Sequence, residues 1–153
     1  MYGLVLILHS LIRWLVLLAG IVTVVRAITG FRTGRPWTLA DDRAGARFMM
    51  AFDLQMLLGL LLYFLLSPIT RAAMQDFGGA MANSTLRFWA VEHTFGMLVA
   101  MVLIHVGRTR VRRVSNDTRK HKLAAIFFTL ALLTILASIP WPGTVAGRPL
   151  LRW

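Results

Sequence analysis

Four apolar stretches, at 4–28, 48–66, 88–106 and 123–139, alternate with polar stretches in which arginine recurs. A helix crosses ~30 Å of hydrocarbon with about 20 residues at ~1.5 Å each, and each stretch approaches or exceeds that length. The pattern therefore predicts four transmembrane helices. Short connections force sequence neighbours to run antiparallel, giving an all-α integral membrane protein, an up-down-up-down four-helix bundle in one domain over 1–153. Helix ends are marked as well. Asn83 or Ser84 is placed to cap the third helix, and Asn116 or Asp117 the fourth. Pro140 and Pro142 stop the fourth helix, because proline cannot continue the hydrogen-bond ladder. Trp37, Trp89 and Trp141 fall near predicted ends, where an aromatic belt would sit.

Few polar residues interrupt these stretches, and those few carry the candidate chemistry. His9 and Arg13 lie in the first stretch. Counted from Tyr2 they are roughly 10 and 16 Å along the helix, the latter close to the midplane. An ionisable group there costs at least ~2.5–3.5 kcal/mol and normally faces partners inside a bundle. At ~100° per residue His9, Arg13, Gly20 and Thr23 share a stripe, as do Trp89, His93, Met97 and Ala100 on the third helix. His93 reaches the depth of His9, with Arg87 and Glu92 near that level.

This layer admits three readings. One is a b-type haem with His9 and His93 as axial ligands of the iron, Arg13 or Arg87 near its propionates and Glu92 in the surroundings. Gly20, Gly96 and Ala100 would then give a flat macrocycle room to approach. Another is a polar knot in which Glu92 pairs with Arg13 and the histidines bond within it, without a cofactor. The third is half of a proton relay.

A second polar layer contains Asp53, Gln55, His105, Arg108, His121 and Lys122. Asp53 is deep enough to need a partner, for which Arg47, Arg108 or His105 are in reach. A second haem is disfavoured. His93 and His105 are 12 residues apart, a rotation of about 120°, so they do not face one axis.

Composition agrees with the apolar pattern, at 58% hydrophobic residues, and charge adds a topology. The net charge of +11 is concentrated in two connections. One carries Arg26, Arg32, Arg35, Arg43 and Arg47; the other carries Arg108, Arg110, Arg112, Arg113, Arg119, Lys120 and Lys122. The alternate side has only Arg71, Arg87, Arg148 and Arg152. By the positive-inside rule the basic loops are cytoplasmic and both termini lie outside, in a bacterial inner membrane. Such a distribution argues against nucleic acid as the partner and for the lipid bilayer; the basic third loop reads as a topology determinant only, or as a contact for anionic headgroups or an acidic cytoplasmic partner. No basic residue precedes the first stretch, so it reads as a helix rather than a cleaved signal.

The chain has no cysteine, which excludes covalently attached haem and cysteine-ligated iron–sulfur clusters. It has no phosphate loop, nucleophile elbow or HExxH helix, and its six acidic residues are too scattered for an oxygen-rich metal cage. The chain is therefore expected not to be an independent enzyme. Gly30–Gly34 and Gly143–Gly147 have GxxxG spacing outside the predicted spans and are not dimer motifs.

The segments LHSLIRW (8–14), TLRFWAVEH (85–93), KHK (120–122) and ASIPWP (137–142) carry a resemblance. The chain resembles a family of small four-helix bacterial inner-membrane proteins, common in Bacteroidota-type genomes and labelled cytochrome-b-like. The resemblance implies four spans and, through that label, haem; its matching residues are His9, Arg13, Arg87, Glu92, His93 and His121. One departure stands out. The family's HLQ element on the second helix is DLQ here, at 53–55.

These observations lead to an auxiliary redox component of an energy-transducing membrane assembly, holding one b-haem between the first and third helices. The rival is a cofactor-free accessory subunit of a larger respiratory or photosynthetic complex, docking other subunits through its apolar faces. Pigment ligation by His9 or His93 is a weaker third reading, since chlorophyll magnesium takes one imidazole rather than two.

Overall fold

The first apolar stretch folds as α1 (Tyr2–Thr33), which ends at Gly34 in the left-handed conformation, φ 67°. A tight connection leads to α2 (Leu39–Leu66), opened by a capping box in which Thr38 and Asp41 satisfy each other's backbone N–H groups. Its last turn, Leu62–Leu66, is a wider π-helical turn. Next come two short helices, α3 (Pro68–Gln75) and α4 (Phe77–Ala82), capped by Ser67 and Asp76. α5 (Ser84–Arg113) follows, with Asn83 as its cap and a second π turn at Phe88–Glu92. The last helix, α6 (Asp117–Ser138), is capped by Asn116 and stops before Pro140. This computed structural model describes residues 1–151; Arg152, counted above among the sparse cations, lies outside the described residues.

The protein is thus all-α. Its four long helices, α1, α2, α5 and α6, are each long and apolar enough to cross a membrane, and they pack as a bundle. α1 packs extensively against α2 and α6, and α6 against α5. The α2–α5 side is the loosest of the four, so α1 and α5 lie on a diagonal. Phe48, Phe52, Phe128, Ile104, Val16 and Ala131 fill the core between them.

Small residues let these helices close up. A Cβ on Gly20 would lie 3.0 Å from the Phe48 ring and 3.1 Å from Leu132, and one on Gly96 would overlap Ser138. Ala100 is fully buried in the same core. The room that Gly20, Gly96 and Ala100 were expected to leave for a macrocycle is therefore taken by the protein's own side chains. Gly30 lies inside α1, and the His121 imidazole occupies the space where its Cβ would be.

At the basic end, acidic side chains hold the loops to the bundle. Buried Asp41 accepts from Arg26 Nε at 2.9 Å, from Arg35 Nη1 and Nη2 at 2.7 Å each, and from Thr38. Hydrogen bonding to Asp41 raises the Arg35 guanidinium above its ordinary value. Arg108 forks onto Asp42 at 2.6 and 2.8 Å, tying α5 to α2. Of the partners considered for Asp53, His105 takes the place, with Nε2 at 3.4 Å. His121 is fully buried, its ring 4.8 Å from that of Trp37. His105 and His121 are thus engaged with different partners.

Candidate functional site

At the opposite end, where both described chain ends lie, the imidazoles of His9 and His93 meet across the diagonal. Their centroids are 6.5 Å apart and their planes inclined at 72°. Each side chain is held by the element that carries it. α1 presents His9 half-buried, and its backbone carbonyl accepts from Gln55 Nε2 of α2 at 2.9 Å. Gly59, one turn further on α2, gives the ring its space, since a Cβ there would stand 3.2 Å from His9 Cε1. α5 presents His93 just after its π turn, with Nδ1 2.8 Å from the Ser138 carbonyl of α6. A carbonyl only accepts, so Nδ1 carries the hydrogen and donates, leaving Nε2 with its lone pair. Backbone-anchored imidazole with the other nitrogen unprotonated is the form that binds a metal.

Both rings line a partly open cavity of about 140 Å³, room for roughly five waters. Its walls come from α1, α2, α5, the end of α6 and the segment after it. Most of the lining is apolar, including Leu6, Phe52, Met56, Leu60, Met97 and Ile135. The polar exceptions are informative. His9 Nδ1, Gln55 Oε1 and Trp89 Nε1 are buried without a hydrogen-bond partner, and all three residues line this one cavity. Buried polar groups are nearly always satisfied, so three such atoms around one space mark it as a place for polar occupants.

Arg13 also lines the cavity, and its Nη2 donates to the Leu150 carbonyl at 2.6 Å. Trp14 Nε1 donates to the same carbonyl at 3.2 Å. The segment after α6 thereby folds back as a strap over this end of the bundle. Thr85 Oγ1 holds it at Val145, and the Arg148 N–H donates back to Pro140. Through this strap Arg148, 139 residues from His9 in sequence, enters the cavity wall with its guanidinium 5.2 Å from the Trp89 ring centre. Nothing in the local sequence pattern singled out Arg148. Its only signal was the sparseness of cations on that side.

Two residues of the expected layer are not brought into the site. Arg87 Nε donates to Glu92 at 2.7 Å, both side chains are nearly half exposed, and neither lines the cavity. Glu92 therefore meets Arg87 where Arg13 was expected. Trp89, expected in an aromatic belt, instead stands in the cavity wall, 5.6 Å from His93 between ring centres. His121, which the family resemblance added to the set, lies in the α1–α6 core against Gly30 and Trp37.

Depth also reads differently once the strap is seen. α1 has 32 residues, about 48 Å of helix against ~30 Å of hydrocarbon. The helix start therefore does not fix where the membrane begins. The strap reaches down to the level of Arg13 and Trp14, so Arg13, expected near the midplane, meets a backbone carbonyl of the chain's own C-terminal segment there.

Among the described residues, no three His, Asp or Glu side chains gather to hold a free metal ion. Comparison with protein-family models, curated proteins and solved structures gave no match, so the family resemblance rests on the quoted motifs alone.

Proposed function

We propose that this small polytopic membrane protein is a haem-carrying redox component of an energy-transducing membrane assembly, with one b-type haem between His9 and His93. The observation that carries this reading is the 6.5 Å spacing of the two imidazoles across the cavity. Two metal–nitrogen bonds of about 2 Å, plus the half-widths of two rings, put the centroids of a bis-imidazole pair roughly 6 Å apart. The tautomer imposed on His93 by Ser138 supports it, as does the mostly apolar lining with arginines in its wall. Haem bound there would supply a one-electron iron couple.

The chain's own residues do the rest. His9 and His93 would hold the haem iron through their imidazoles; Gly59 and Gln55 position His9, and Ser138 positions His93. Met56, Met97 and Leu60 exclude water from the apolar flank. With one centre and no catalytic motif, the protein acts as a carrier rather than as an independent catalyst. The concentration of exposed cations at the far end supports an inner-membrane topology with the basic end in the cytoplasm and both termini outside.

The test is a reduced-minus-oxidised optical spectrum of the detergent-purified protein, wild type beside His9→Ala and His93→Ala. A b-type spectrum altered or lost in both variants is expected. A folded, colourless wild type after haem-replete expression overturns the reading; the polar cavity is then a packing feature of a cofactor-free accessory subunit.

A further inference from the structure

We infer that Arg148 and Trp89 form a carboxylate-binding subsite, so that the cavity selects an amphiphile with an acidic end. The inference rests on the haem reading only for the identity of that amphiphile. Charge is the first argument. Arg13 and Arg148 both line the cavity, and no acidic side chain does so among the described residues. The nearest acid in sequence, Glu92, is held by Arg87 outside it. With no carboxylate among the described lining residues, the Arg148 guanidinium favours an anion supplied by the occupant.

The second argument is the indole. Trp89 Nε1 is a donor with no acceptor capacity, and it is buried with no partner. It needs an oxygen, and the Arg148 guanidinium, 5.2 Å from the centre of the same ring, supplies a neighbouring charge. A guanidinium carries planar N–H donors that match the two oxygens of a carboxylate.

Preorganisation is the third. Arg148 sits on a strap fixed by the bonds of Thr85 to Val145, of Arg13 and Trp14 to Leu150, and of its own N–H to Pro140. A cation held this way loses little freedom on binding. The chemistry so defined is a flat or elongated apolar body ending in a carboxylate. A porphyrin propionate and a fatty acid both meet it.

The experiment compares an acid with its ester. Full-length protein purified without haem is titrated optically with haem and with haem dimethyl ester, as wild type, Arg148→Gln and Trp89→Phe. Wild type is expected to bind the acid at least ~10-fold more tightly than the ester, since a charge-assisted hydrogen bond is worth about that ratio. Arg148→Gln and Trp89→Phe should each reduce that preference. Equal affinity of wild type for acid and ester overturns the inference and leaves the haem reading standing; this arm decides even where a variant does not fold. If wild type binds neither porphyrin, the haem reading fails. The same comparison is then made with palmitate and methyl palmitate by quenching of tryptophan fluorescence. A preference for palmitate that Arg148→Gln abolishes sustains the subsite, and equal binding overturns it.

Discussion

Replacing Gly30 by alanine tests the packing of α1 against α6 at its tightest point. A methyl at Gly30 would overlap three atoms of the His121 imidazole. That ring is fully buried against Trp37 and has no open direction in which to swing. Overpacking of this kind costs about 1–3 kcal/mol, and the complete overlap places it at the upper end. Alanine returns up to ~1 kcal/mol through its helix preference, so the net destabilisation is about 2 kcal/mol. In a His121→Ala background the clash is gone and the same substitution becomes neutral or stabilising by up to ~1 kcal/mol. The expected coupling between the two positions is therefore about 2–3 kcal/mol. Gly45 is the control, because a Cβ there meets Phe128 at 3.4 Å, an ordinary contact. Gly45→Ala should add to His121→Ala within ~0.5 kcal/mol. The assay is reversible unfolding in mixed micelles followed by tryptophan fluorescence, run on each double-mutant cycle. A Gly30→Ala effect of equal size in both backgrounds would falsify this account of the helix contact.

Asp41→Asn should cost about 2–3 kcal/mol in the same assay. It strands Arg26 and Arg35, though their partial exposure keeps the loss below the ~3–5 kcal/mol of a fully buried pair; an unchanged midpoint refutes it. Tyr63→Phe removes the 2.8 Å bond from Tyr63 to the Ala90 carbonyl and should cost about 1 kcal/mol. Amide exchange over 88–93 should quicken in that variant, and unchanged protection would count against the bond. Gly59→Ala puts a methyl 3.2 Å from His9 Cε1 and should displace the ring by a few tenths of an ångström. On the haem proposal, the protein is expected to stay folded with the spectrum of the added haem shifted; a wild-type spectrum would show that Gly59 does not set the position of His9.

The four long helices and three of their ends were legible because caps are local chemistry. Asn83, Asn116 and the Pro140 stop all act where the pattern put them. His9 and His93 were legible as a pair because both are unusual residues at matching distances from one end of the chain's spans. Other features depend on contacts that periodicity does not encode. Gly20, Gly30 and Gly59 look alike in sequence, yet they admit Phe48, His121 and His9 respectively. Arg148 lies on an aperiodic strap, and only the return of the chain to Arg13 and Trp14 brings it to the cavity. α3 and α4 were missed because neither has an apolar run; each is set by the cap before it.

The misplacement of Glu92 has a more specific cause, and it ties the two wide turns to the cavity. At ~100° per residue Arg87 and Glu92, five apart, point about 140° away from each other, so their pairing is unexpected on an α-helix. A π turn closes its hydrogen bond five residues on and brings such a pair onto one face. Phe88–Glu92 is such a turn, and Arg87 meets Glu92 across it. At ~100° per residue Trp89 lies within about 40° of His93 and Arg87 about 120° from it, in keeping with Trp89 in the cavity wall and Arg87 outside it. The π turn of α2 sits opposite. Leu62 and Tyr63 from that turn line the cavity, and Tyr63 bonds across to Ala90 within the turn of α5. Wide turns give up helix geometry and recur where a helix must open for a ligand. Two of them, joined to each other beside the cavity that both histidines line, favour a bundle shaped around an occupant over one merely packed around its polar residues.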